Sequence, residues 1–361
     1  MNFARVLIIK PSSLGDVVQA LPVLTALKEA HPQSHVAWLV ARPFADLLEG
    51  HPRLDEVIVF DRQRFGRLGR SLGVMKEFLT FLRDLRRRKF TLAIDLQGLF
   101  RSGLLTMATG APDRVGLETA RELAPLFYTQ KVPIADPDMH AVDRYLAVAR
   151  YIGVGDPRAT DHLPVPPQAR EAARRRLAEA GLEPGRPFVV ACAHARWETK
   201  QWPPDRFAAV LDRAGAEAGV RAVLVGGGAA VEIGRTIGRA MSVPPIDLTD
   251  RTTLKELIAV IAEARAMVTN DSGPMHIAAA VGTPVVAVFG PTNPSRTGPY
   301  GQGHRVIVGQ VTCRPCYRRQ CPYGGQTETL RCLTAVAADE VAAALVELCR
   351  RHPPNSQPPN S

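Results

Sequence analysis

The sequence predicts an α/β protein of two domains in tandem, each a parallel sheet covered by helices on both faces. Three observations predict it. Apolar runs of strand length alternate with longer amphipathic segments along almost the whole chain, the pattern of β-α repetition and buried parallel strands. The alternation is interrupted at residues 155–168, GDPRATDHLPVPPQ, which are Pro-rich and aperiodic and read as an interdomain linker. After them the same alternation restarts.

The elements follow in order. VLIIK is a strand, PSSLG a turn, and a helix begins near Asp16. HVAWLV, a short helix and EVIVF come next, then a long basic helix leading to TLAIDL. The helix HAVDRYLAVARYIG closes the first domain. In the second, the helix EAARRRLAEAG precedes the strand PFVVAC, a helix from Pro203, the strand RAVLVG and a helix from Ala229. TTLKELIAVIAEA, AMVTN, a small-residue helix and PVVAVFG follow. The expected divisions are 1–165, 166–335, a C-terminal helix over 336–351 and a disordered tail over 352–361, whose PPNSQPPNS cannot bury a core.

Bulk numbers narrow the class. A chain of 361 residues, 46% hydrophobic and 22% charged, suits a globular protein with two cores. No apolar run approaches the ~18 residues of a spanning helix, and MNFARVLIIKPSS lacks the form of a secretory signal. A cytosolic protein is expected, with its six cysteines reduced or metal-bound rather than paired. Of the net charge of +10, most lies in Arg62–Lys89, where ten basic residues face Glu77 and Asp84. Such a stretch attracts phosphates or is simply a solvated helix face.

Ligands of doubly wound sheets bind beyond the carboxyl ends of strands, and three loops after strands stand out. The first is KPSSLGDVVQALP, residues 10–22. Gly15 permits close backbone approach, and Asp16 is the only carboxylate at that strand end. Spacing alone favours Asp16 as a helix cap and dipole partner. The second is HARWETKQWPPDRF, residues 194–207, where Lys200 can reach a phosphate or be a surface lysine beside packed Trp202. The third is VTNDSGPMHIAAAVGTPVVAVFG, residues 268–290. Here Asn270, Asp271, Ser272, Gly273, Pro274 and His276 crowd the start of a helix, whose N–H groups and dipole favour an anion. Pro274 pre-sets the first turn, and His276 can donate to a phosphate oxygen.

Other readings of these loops fail. DSGP suggests a serine protease, but Ser272 and His276 lie four residues apart on one helix, a poor triad geometry. Neither G-x-G-x-x-G nor G-x-x-x-x-G-K-[ST] occurs, which disfavours standard dinucleotide and Walker-type sites.

LIIKPSSLGDVVQALPVL, DLQGLFRSGLL, TARELAPLFY, HAVDRYLAVA and TNDSGPMHIAAAVGTPVVAVFGPTNP together resemble glycosyltransferase family 9, the ADP-heptose:lipopolysaccharide heptosyltransferases. The resemblance covers residues 3 to 350, and its motif forms look more like heptosyltransferase I than II. It implies a GT-B fold, two Rossmann-like domains facing a cleft, with the acceptor on the N-terminal one. It implies inverting transfer of L-glycero-D-manno-heptose from ADP-heptose to Kdo of Kdo2-lipid A, without a catalytic metal or other cofactor. Asp16 would be the catalytic base, and Lys200, His276 and the N–H groups from Ser272 onward would stabilise the leaving ADP. Glu232 would hold the ribose hydroxyls, with Leu248 and Thr252 near adenine. Ser13 and Gly15, with Arg62, Arg64, Arg67 and Arg121, would bind the acceptor's carboxylates and phosphates.

The resemblance places the chain, as a monomer, on the cytoplasmic face of a Gram-negative inner membrane, peripherally attached through its basic stretch. The alternatives are another family 9 acceptor and a nucleotide-sugar binder without catalysis. A nucleic-acid partner is not expected, because only Phe65 and Phe81 interleave the basic stretch.

Cys313, Cys316, Cys321 and Cys332 form C-x2-C-x4-C-x10-C. One close pair plus two more can build a tetrahedral zinc site; reduced thiols or a disulfide staple are the alternatives. Cys192 and Cys349 read as core.

Overall fold

After Arg5 the run VLII has no polar position to offer water, so it forms a strand buried on both faces, and the chain winds outward from it. A computed structural model describes residues 1–66, 71–158, 162–324 and 329–351. The chain divides into two compact units, Met1–Pro164 and Val165–Ser361. Arg67 and the tail 352–361, both subjects of the sequence reading, lie outside the described residues.

In the first unit the order is β1 (Arg5–Ile9), α1 (Leu14–Ala30), β2 (His35–Ala41), β3 (Glu56–Phe60), α2 (Arg62–Phe65), α3 (Leu72–Arg87), β4 (Leu92–Asp95), α4 (Phe100–Ala108), β5 (Asp113–Leu117), β6 (Gln130–Val132) and α5 (Ala141–Tyr151). The sheet order is β3-β2-β1-β4-β5-β6, and every pairing is parallel. Sequence order reverses between β1 and β4, where Ile9 pairs with Asp95. A crevice opens at such a switch point, so the loops after β1 and β4 share it. Helix α1 is apolar almost all round and buried from Val17 to Leu27, as expected of a helix enclosed by the core. It packs against α5.

In the second unit the order is α6 (Pro167–Glu179), β7 (Phe188–Cys192), α7 (Pro204–Ala218), β8 (Arg221–Leu224), α8 (Ala230–Ala240), β9 (Ile246–Asp247), α9 (Leu254–Glu263), β10 (Ala266–Asn270), α10 (Gly273–Ala280), β11 (Val285–Phe289), α11 (Pro294–Thr297), β12 (Arg305–Val308), α12 (Arg331–Thr334) and α13 (Ala338–Arg351). The sheet order β12-β11-β10-β7-β8-β9 is again all parallel. Its switch point lies between β7 and β10. Helices α7 and α13 pack on each other and on this sheet. Each fully buried large apolar side chain, such as Phe207 or Phe289, contributes about 1.5–3 kcal/mol.

Two boundaries differ from the sequence reading. Helix α6 already starts at Pro167, so the linker is shorter than 155–168 suggests. Pro203 is the N-cap of α7 and Pro204 its first residue. TARELAPLFY folds into a short 3-10 turn, Ala124–Phe127, entered through Glu122 and Leu123 at φ 54° and 62°. Among the described residues no helix is long and apolar enough to cross a membrane.

Candidate active site

In the first unit the site grows from the end of β1. Ser13 is the N-cap of α1 and Asp16 its third helical residue. The Ser13 backbone N–H donates to Asp16 Oδ2 at 2.9 Å, and Ser13 Oγ donates to the same oxygen at 2.6 Å. Asp16 therefore caps its helix while remaining partly exposed. One residue past β1, Lys10 is buried, donates Nζ to Leu96 O at 3.0 Å and lies 5.0 Å from the centre of the Tyr145 ring. Burial works against its charge, but Tyr145, Asp16 and Asp95 outweigh it and raise its pKa. The base of this loop is thus a buried cation facing Asp16.

The end of β4 supports that loop from beside it. Asp95, 0% exposed, accepts from the N–H groups of Gln97 and Gly98 at 2.8 and 3.0 Å. It also accepts from Ser102 Oγ and Tyr128 OH, each at 2.7 Å. Burial still pushes its carboxyl above the usual range. Tyr128 reaches it because Gly116 has no side chain: a Cβ there would lie 2.3 Å from the tyrosine ring. Gln97, fixed by this network, accepts from the Ser12 N–H at 3.2 Å. The Arg121 N–H donates to Gly98 O at 2.8 Å, which ties the TARE segment to the same strand end.

In the second unit the loops after β7 and β10 meet. Asn270 is buried, accepts from the Trp202 N–H at 3.1 Å and donates to Ala193 O at 2.6 Å. Beside it, Asp271 Oδ2 takes Lys200 Nζ at 2.6 Å and Thr292 Oγ1 at 2.6 Å. Lys200 also lies 4.8 Å from the centre of the Trp197 ring. An ammonium group is thereby held at the mouth of α10, whose N-cap is Ser272. Its two N–H groups not spent on Asp271 can face an anion.

The helix end itself is a narrower anion donor than a generic N-terminus. Pro274 has no N–H, and Met275 N–H turns back onto Ser272 O at 3.2 Å. Outward donation rests on Ser272 and Gly273. His276 sits one turn in and is 8% exposed.

The remaining sequence-stated residues fall in different places. Glu232 stands at the exposed start of α8 and pairs with Arg235. The glycines before α8 are held by Asp250, whose N–H donates to Gly226 O at 2.7 Å and whose Oδ1 accepts from Gly228 N–H at 3.3 Å. Leu248 follows directly on β9 and is 0% exposed, so its side chain belongs to the core. Thr252 is partly exposed, just before the α9 cap Thr253. Gly15 is buried in α1. Arg62 and Arg121 are exposed, whereas Arg64 is taken by a two-pronged pair with Glu77. Sequence reasoning missed Lys10, Asp95 and Thr292. A lysine directly after a fully apolar strand was the one available signal, since it must be buried with a partner.

The first unit thus holds a capped carboxylate at its switch-point loops, and the second a lysine, a carboxylate and a helix end. The model of "Glycosyltransferase family 9 (heptosyltransferase)" matches residues 78–326. The chain belongs to glycosyltransferase family 9. It is 34% identical to lipopolysaccharide heptosyltransferase 1 of Pseudomonas aeruginosa, over 88% of this chain and 88% of that one. It is 30% identical to the Escherichia coli protein of the same name, over 86% and 93%. Among solved structures, a family 9 glycosyl transferase of Veillonella parvula superposes with a TM-score of 0.81 at 25% identity, covering 97% and 98% of the two chains. The E. coli heptosyltransferase WaaC with ADP gives 0.73 at 28%, covering 95% and 99%. The fold is GT-B, and the chain is a family 9 glycosyltransferase.

Proposed function

We propose that this family 9 enzyme transfers L-glycero-D-manno-heptose from ADP-heptose to Kdo of Kdo2-lipid A, with inversion. The observation that carries the donor half is the 2.6 Å contact of Lys200 Nζ with Asp271 Oδ2 at the start of α10. A cation oriented at a helix N-terminus suits a diphosphate. WaaC has been solved with ADP and with ADP-2-deoxy-2-fluoro heptose, which supports the same donor here. The relatives named lipopolysaccharide heptosyltransferase 1 support lipopolysaccharide as the class of acceptor.

The chemistry balances on these residues. The acceptor hydroxyl oxygen attacks the anomeric carbon, its proton passes to Asp16, and the bond from that carbon to the diphosphate breaks. Charge grows on the leaving ADP, where Lys200, His276 and the N–H groups of Ser272 and Gly273 stabilise it. Glu232 and Thr252 border the nucleoside. Arg62 and Arg121, both exposed, meet the anionic groups of the acceptor. The basic surface around α3 would hold the enzyme at an anionic lipid face.

The test is ADP release from ADP-heptose and Kdo2-lipid A by the full chain, beside Asp16→Asn. Release by the wild type alone supports the reading. No release from this acceptor while ADP-heptose binds would sink the Kdo assignment and move the acceptor elsewhere in the core.

A further inference from the structure

Four of the six cysteines converge. Cys313, Cys316, Cys321 and Cys332 all line one cavity of about 190 Å³. Cys332 is buried, Cys316 and Cys321 are half-buried, Cys313 is exposed, and none is in a disulfide. Single buried cysteines such as Cys192 behave as small apolar side chains. Four thiols around one cavity are the donor type that a soft, tetrahedral cation takes. The backbone N–H of Leu330 donates to Cys321 Sγ at 3.4 Å, the kind of bond that supports a thiolate around a metal. Tyr317 and Leu330 hold φ of 54° and 55° within this loop, a conformation that persists only where the surroundings over-determine it.

As placed, no three His, Cys, Asp or Glu side chains among the described residues form a ready ligand group. The sulfurs surround the cavity without sharing a centre. Each Sγ turns about one side-chain torsion, the freedom a binding cation would use to draw the thiols together.

We propose that Cys313, Cys316, Cys321 and Cys332 bind one thiolate-preferring divalent cation of the zinc type, and that this site braces the donor-binding loops. On binding, each ligating thiol gives its proton to solvent. The bracing follows from what the cysteine loop grips. Arg314 donates Nε to Gly290 O at 2.6 Å and Nη2 to Thr292 O at 3.0 Å. The N–H groups of Cys316 and Tyr317 donate to Pro291 O at 3.0 and 2.9 Å. Thr199 Oγ1 donates to Arg318 O at 2.9 Å. Thr292 and Lys200, the two partners of Asp271, are therefore both tied to the loop, one directly and one through its neighbour Thr199. The bracing rests on the donor-site reading; the cation site does not.

The experiment is elemental analysis of the full chain, purified under reducing conditions without added metal, beside the double variant Cys313→Ser/Cys316→Ser. One equivalent of zinc per chain, lost in the variant, is the expected result. Iron at the same stoichiometry, lost in the same variant, equally supports a four-thiolate site. Metal-free wild type with four titratable thiols, or a Cys313–Cys316 disulfide by mass spectrometry, overturns it. In a second arm, a strong chelator strips the wild type and zinc is returned, which avoids a variant that fails to fold. Stripping should lower the melting temperature and weaken ADP binding several-fold, and zinc should restore both. Unchanged ADP affinity after complete stripping overturns the bracing. Heptosyl transfer is not read in either arm, so failure here is distinct from failure of the proposed activity.

Discussion

Ser13 Oγ donates to Asp16 Oδ2 at 2.6 Å across the first turn of α1. The cap and the candidate base are thus one group. A carboxylate held by its own helix start is oriented before any substrate arrives, which lowers the reorganisation needed to accept a proton.

Asp16→Asn keeps the shape and a cap, and removes the proton acceptor. Turnover should fall roughly 10²–10⁴-fold, while ADP affinity by calorimetry stays at the wild-type value. Loss of ADP binding would show that Asp16 is structural. Ser13→Ala should give a smaller loss of turnover, since Asp16 keeps the Ser13 N–H.

Lys200→Ala removes the cation from the mouth of α10 and leaves the buried Asp271 carboxylate with Thr292. A charge-assisted hydrogen bond is worth about 1.5–3 kcal/mol, so ADP should bind roughly ten- to a hundred-fold more weakly. Thr292→Val should weaken it less. Equal ADP affinity in wild type and Lys200→Ala would remove the lysine from the donor site.

Tyr128→Phe deletes one of the hydroxyls donated to buried Asp95 and should cost about 1–3 kcal/mol in urea unfolding. The same carboxyl gives a pH signature. Its folded pKa is raised above 3.8, first by burial. The native state then holds the proton more tightly than the unfolded chain, so Asp95 lowers stability as pH rises above about 3.8. Unfolding free energies of wild type minus Asp95→Asn should therefore decline between pH 4 and 7. A difference that climbs with pH would contradict the raised pKa.

Arg62→Glu should raise the acceptor KM and reduce binding to anionic vesicles, with ADP affinity unchanged. Both effects should shrink at high salt, because exposed charges are screened beyond a Debye length of ~8–10 Å. An unchanged acceptor KM would turn this side of the basic stretch into an ordinary solvated face.

What the sequence determined by itself was local. Apolar runs and Gly-Pro punctuation placed the alternation, the two units and the three loops, because periodicity and turn chemistry act over a few residues. The Ser13–Asp16 cap was also legible, since its partners lie three residues apart. The tertiary structure decided everything set by strand order and register. It brought Lys10 beside the end of β4, joined Lys200 to Asp271 across the β7–β10 switch, and joined Asp271 to Thr292 between the loops after β10 and β11. It turned Leu248 into the core, tied Arg64 to Glu77 and gathered four cysteines around one cavity. Those contacts follow from which strands become neighbours, and burial then forces each polar group to find whatever partner that neighbourhood supplies.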